Sequence, residues 1–167
     1  MAFDTYLSIQ SPTVAGEATQ ANHEKWIEIY SFSWGASNPT TVGSGSTGLS
    51  AGKVSVSSFN CMKKTETSSA PLFAACCAGQ HYATATVEMS KATGTSGQQQ
   101  VFLKYEFSDV MVESIQWSGS SGGDDTPTES VSFAFAKVAV TYSKQDDATG
   151  AMSPAGNASW DLTKVSK

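Results

Sequence analysis

The chain has 167 residues, of which 40% are hydrophobic, enough for one ordinary core, and its 15 acidic and 10 basic residues leave a formal charge of -5. Binding a polyanion takes clustered Lys and Arg that displace counterions, so this acidic balance excludes nucleic acid as a partner. No apolar run approaches the roughly 18–20 residues that span a bilayer, which argues against membrane insertion, and the alternation over residues 1–10, with Asp4 near the start, argues against a secretory signal peptide.

Phe3, Thr5, Leu7 and Ile9 alternate with Asp4, Tyr6 and Ser8, which predicts a first strand with one buried face. A polar loop follows over residues 10–22. Residues 25–34, KWIEIYSFSW, read as a strand whose apolar parity changes: Ile27 and Ile29 share one face, and Tyr30, Phe32 and Trp34 the other. Such a change implies a bulge or a surface buried on both sides. Residues 35–52 and 118–128 are long polar loops that cannot pack a core, so each is flexible or ordered by a partner.

Strands are predicted over residues 53–62, 82–91, 100–107 and 110–117, divided by Gly, Ser and Asp signals. Residues 129–142 repeat the parity change, from Val131, Phe133 and Phe135 to Val138, Val140 and Tyr142. The one convincing helix covers residues 69–78, with Ser68 or Ser69 as cap, Pro71 in the first turn, an apolar face of Leu72, Phe73, Cys76 and Cys77, and Gly79 as its stop. The fold class is therefore mainly β: a small barrel of two packed antiparallel sheets with one flanking helix, in a single domain over residues 1–167 whose last three residues form a disordered tail.

No active site assembles. Gly43, Gly45 and Gly48 match a dinucleotide fingerprint in spacing, but a strand follows them where a helix N-terminus is needed for pyrophosphate, and Gly52-Lys53 lacks the Ser or Thr of a P-loop. His23, His81 and the cysteines Cys61, Cys76 and Cys77 lack metal-ligand spacing, and adjacent helical cysteines point about 100° apart. Asp124 and Asp125 read as a solvated turn. No metal or cofactor is expected. The aromatic residues leave a carbohydrate-binding β-sandwich as one alternative, and a cysteine hydrolase using His81 as another.

In order, MAFDTYLSI, Gly16-Glu17 followed by His23, IEIYSFSWG, KVSVSSF, the SSAPLF helix start, VFLKYEFSDVMVESIQWSGSSGGDD, TESVSFAFAKVAVTY and SWDL resemble the Hcp family, the haemolysin-coregulated tube proteins of bacterial type VI secretion. The resemblance spans about residues 1–162, with Cys77 doubling the usual helix cysteine and Ser159 standing where Gly commonly precedes Trp. It implies a homohexameric ring that stacks into a hollow tube, works with a spike protein and a contractile sheath, and carries small effectors in its lumen. It also implies synthesis in the bacterial cytoplasm followed by export, and no enzymatic activity. On this reading Ser31 and Ser33, which face away from the core, are candidates for lining the lumen. Pro39, Thr40, Val42, Leu49 and Lys53 are candidates for contact between stacked rings.

Overall fold

A computed structural model describes residues 2–44, 48–94, 97–123 and 125–166. In chain order the elements are β1 (Asp4–Gln10), β2 (Ile27–Ile29), β3 (Ser31–Ser33), β4 (Ala36–Ser37), β5 (Thr40–Val42), β6 (Leu49–Ala51), β7 (Ser55–Val56), β8 (Phe59–Lys64), α1 (Ser69–Ala78), β9 (His81–Ala92), β10 (Gln99–Ser118), β11 (Thr128–Gln145) and β12 (Met152–Asp161). The architecture is mainly β with one helix, as the composition implies.

The principal sheet runs β2-β1-β9-β10-β11-β8-β3, all antiparallel, with β12 added on β11. Its two terminal strands are consecutive in sequence. β2 pairs with β1 through Thr5↔Ile29 and Leu7↔Ile27, and β3 pairs with β8 through Ser31↔Met62 and Ser33↔Asn60. Tyr30 alone separates them, and its N–H donates to the Met62 carbonyl at 2.8 Å. One extended segment thus hands its pairing from one end of the sheet to the other and closes the barrel. This is the physical meaning of the parity change read between Ile29 and Tyr30. The change does not bury all three aromatics, however: Phe32 and Trp34 pack on the core, whereas Tyr30 at the crossing point is 55% exposed.

The second parity change is a crease. Asp109 adopts a left-handed φ of 55°, and the ladders skip one level across three neighbouring strands, at Ala83, Asp109 and Ala136. Phe107 and Val110 therefore both face the core, as do Phe135 and Val138 on the next strand. Residues 100–107 and 110–117, predicted as two strands, are one strand of 20 residues bent at Asp109. The bend brings the Phe107 and Phe135 rings to 4.5 Å, and Trp34 lies edge-on to Phe107 at 5.6 Å. Phe59, Phe107, Phe133, Leu7, Ile9 and Ile27 are fully buried around this array, each such side chain stabilising the fold by about 1.5–3 kcal/mol.

Gly79 ends α1 with φ 67° and its N–H on the Ala75 carbonyl, as predicted. The buried stripe differs from the prediction: Ser69, Leu72 and Ala75 face the sheet, while Phe73 and Cys77 are exposed. The cap differs too, since the Ser68 hydroxyl donates to Glu66 rather than serving the helix, and the Ser69 hydroxyl accepts the Glu66 N–H. β12 was not predicted. Its sequence MSPAGNASWD has no β-branched residue, and pairing with β11, from Lys137↔Asp161 to Gln145↔Met152, imposes the strand.

Candidate assembly surfaces

Residues 36–52 contain no charged side chain and were read as loop because Gly, Ser and Thr dominate them. Their described part forms an antiparallel ribbon instead. At its root Ala36 pairs with Val56 and Ser37 with Ser55; beyond that, Thr40 pairs with Ala51, Thr41 with Ser50 and Val42 with Leu49. Asn38 and Pro39 fix the turn between the two ladders, because the Gly52 N–H donates to both the Asn38 side-chain oxygen and the Pro39 carbonyl. Gly52 is required there: a Cβ would lie 2.8 Å from the Pro39 ring and carbonyl. Gly43 N–H donates to Gly48 O at 3.0 Å beyond the last rung, and Gly45 lies outside the described residues.

Every residue of β5 and β6 is exposed, Val42 at 82% and Leu49 at 72%. These two are cross-strand partners, so their side chains form a single apolar rung on the solvent side. Pro39, Thr40 and Lys53 are also exposed. The five loop candidates therefore sit together on one projecting ribbon and its root. Ser31 and Ser33 lie apart from it on β3, both exposed, on the face opposite Phe32.

The outer edge of β12 is a second uncovered surface. Residues 153–159 are all exposed, small and uncharged, and Pro154 interrupts the donor pattern of the edge. Between this strand and the ribbon root lies an apolar groove of about 350 Å³ with Trp34, Val56, Val140 and Trp160 in its walls.

Charged side chains are used inside the barrel to fix its parts. Lys63 and Glu129 are both fully buried and meet at 2.6 Å; Lys63 also donates to the Ser69 hydroxyl at the start of α1, and Trp117 Nε1 donates to the other Glu129 oxygen at 2.6 Å. The Phe73 ring of α1 then packs on Trp117 at 5.5 Å, so the helix is tied to β8, β10 and β11 by one closed circuit. That pair is tilted by 59°, so the two rings do not make one flat platform. Cys61 lies beside this circuit, and burial, reinforced by Glu129 and partly offset by Lys63, pushes its thiol up to about 12. All three cysteines are free, and Cys77, expected on the buried face of the helix, is exposed.

The Gly16-Glu17 and His23 signature is a clasp. A Cβ on Gly16 would lie 2.3 Å from the Trp26 carbonyl, and the Gly16 N–H donates to Lys25 O. Glu17 accepts the Thr67 N–H at 3.2 Å, while its own N–H donates to Glu66. His23 is buried, stacked on Tyr6 at 4.5 Å, with its ring nitrogens bonded to Gln20 and, at 2.8 Å, to Glu88. His23, screened in the sequence as a metal ligand, instead joins Gly16 and Glu17 in anchoring the long loop to the barrel. Asp125 is exposed, and Asp124 lies outside the described residues. Among the described residues no helix is long and apolar enough to cross a membrane.

The family described as type VI secretion system effector, Hcp, matches residues 6–142. The chain is 35% identical over 145 residues to Protein hcp1 of Pseudomonas aeruginosa, covering 87% of this chain and 86% of that one. It superposes with a TM-score of 0.89 and 36% identity on a solved type six secretion system protein, with 98% of each chain covered. With Hcp1 from Salmonella typhimurium the TM-score is 0.77 and the identity 28%, over 99% of each chain. A mainly β, nearly closed barrel with one helix, a family match over most of the chain and a curated relative at that identity lead to one conclusion: the chain belongs to the Hcp family of type VI secretion proteins.

Proposed function

We propose that the whole chain acts as one domain, the structural subunit of a type VI secretion inner tube: homohexameric rings that stack into a hollow tube and perform no catalysis. The observation that carries this reading is the ribbon. A two-stranded ribbon with both faces in water is marginal by itself, and the Val42 and Leu49 rung has no cover within the described residues of its own chain. A partner surface is its natural complement. The resemblance to the Hcp tube proteins implies the kind of partner, further copies of the same protein. The ribbon, through Pro39, Thr40, Val42, Leu49 and Lys53, makes the contact between stacked rings.

On this reading the protein is made in the bacterial cytoplasm and is exported with the spike protein when the sheath contracts. Small effectors occupy the lumen, where Ser31 and Ser33 offer hydroxyls and space. Six chains of -5 give a ring about -30 formal charges, so stacking is weaker and more salt-dependent than ring closure.

Light-scattering mass on a sizing column at two protein concentrations, with negative-stain images of the peak, tests the assembly. The expected species has a central hole and a mass near 105 kDa, six copies of 17.5 kDa. A folded monomer at both concentrations overturns the reading. Ser33→Gln is expected to lower retention of co-expressed small effectors while the ring mass stays constant; unchanged retention removes Ser33 from the lumen.

A further inference from the structure

We infer that Met62 is the residue that grips cargo, and that the uncharged face around it takes small proteins of either charge, seating an apolar or aromatic side chain of each on the Met62 thioether. The inference rests on the tube reading above, which puts Ser31 and Ser33 in the lumen, and extends it by naming what that surface recognises.

Strand register fixes the face. Ser31 pairs with Met62, Met62 with Ser130 and Ser130 with Gln116, so one rung across β3, β8, β11 and β10 points four side chains the same way. The next rung on that face is Ser33, Asn60, Ser132 and Ser114. Alternation along β8 agrees: Phe59, Cys61 and Lys63 are buried, whereas Asn60, Met62 and Lys64 are exposed.

Neither rung carries a charged side chain. The two charges at its borders have opposite signs and are already engaged: the Lys64 ammonium lies over the Tyr30 ring at 5.6 Å, and Glu113 accepts the Ser132 hydroxyl at 3.1 Å. Elsewhere on the sheet the pattern differs, with ion pairs between Glu88 and Lys104 at 3.7 Å and between Lys137 and Asp161 at 3.8 Å. The face around Met62 therefore offers hydroxyls and amides, which donate or accept, and holds no net charge with which to sort cargo.

Met62 is the one large apolar side chain on these two rungs, and it is 44% exposed. Serines flank it on both neighbouring strands, so the thioether stands clear of its surroundings. A methionine adapts its shape to different partners and makes favourable contacts with aromatic rings, which suits a surface that receives unrelated proteins. Six copies repeat it around a ring, and a cargo that touches several of them gains from each.

The probes are three type VI effectors of about 20 kDa or less, inactivated in their active sites, one acidic, one near neutral and one basic, each co-expressed with the ring. Retention is read after sizing at 0.15 M and 0.5 M salt, and ring mass by light scattering. Met62→Thr, which keeps strand propensity, is expected to lower retention of all three about tenfold or more, and Met62→Leu to stay within about threefold of the parent. Higher salt is expected to change parental retention by less than about twofold. Retention unchanged in Met62→Thr overturns this inference; if Ser33→Gln still lowers it, the lumen reading stands. Met62→Leu as poor as Met62→Thr, or retention that follows cargo charge or collapses in salt, also overturns the inference. Loss of ring mass in Met62→Thr would place the residue in a contact between subunits and overturn it too. Parental rings that retain none of the three overturn the lumen reading together with it.

Discussion

The barrel and the ribbon are built from the same short-strand chemistry and differ in what completes them. In the barrel, Phe59, Phe107 and Phe133 are buried by their own chain, and even a charged pair, Lys63 and Glu129, is dehydrated there because each member finds several partners. In the ribbon, every side chain of β5 and β6 stays in water. The difference separates two jobs. Barrel residues decide whether the chain folds, and ribbon residues are left free to meet a partner, the role proposed for them above.

The largest effect that sharpens this contrast comes from the centre of the crease. Phe107→Ala is expected to lower unfolding free energy by about 3–5 kcal/mol, read from urea titration, because Trp34 and Phe135 close poorly over the hole. Next is Glu129→Gln, expected to cost about 3 kcal/mol by leaving the Lys63 ammonium buried without its counter-ion. A loss below about 0.5 kcal/mol would mean that water reaches the pair and that the circuit under α1 is not structural. Val42→Asp with Leu49→Asp is expected to change unfolding free energy by less than about 0.5 kcal/mol while abolishing higher assemblies in sedimentation, the pattern of an exposed contact surface. Comparable losses of stability in ribbon and barrel variants would erase the distinction.

The smallest expected effect is local and pH-dependent. The Thr163 hydroxyl, with the backbone N–H groups of Thr163 and Lys164 and the nearby Lys137, holds the Asp161 carboxyl below its ordinary 3.8. A depressed carboxyl contributes stability above its unfolded value that is lost as pH falls through the folded one. The turn after β12, where Ser166 bridges back to Asp161, is therefore expected to fray below about pH 4. Protection factors of the residue 162–166 amides, which remove the intrinsic pH dependence of exchange, that stay constant from pH 6 to pH 3 would contradict this.

The sequence carried the barrel in its parity. Ile27 and Ile29 against Phe32 and Trp34 marked the closing segment, and Val131 and Phe133 against Val138 and Val140 marked the crease, because a face that stays buried through a change of pairing must switch phase. Asp109 was misread as a strand boundary since a left-handed residue inside a long strand looks locally like a turn. β12 and the ribbon were illegible for another reason. β12 pairs through Ser, Gly, Ala and Asn, whose propensities oppose or ignore strand formation, and in the ribbon the strand-forming Thr40, Thr41 and Val42 make a run of only three between Pro39 and Gly43, so only the neighbouring strand reveals either. The ribbon candidates come from one stretch of sequence, whereas the apolar groove beside β12 draws on Trp34, Val140 and Trp160, residues far apart in the chain.

The closing segment also sets an order of opening. β2 and β3 hold the barrel shut through three residue pairs each, against seven between β1 and β9 and a longer ladder between β10 and β11. Thermal fluctuations therefore unzip the cylinder at Tyr30 before they reach the aromatic centre, and a single event bares the edges of β1 and β8 together. Two unpaired edges released at once are a pair of sockets for a foreign strand. The seam is therefore where pairing with a foreign strand would start if the barrel opened.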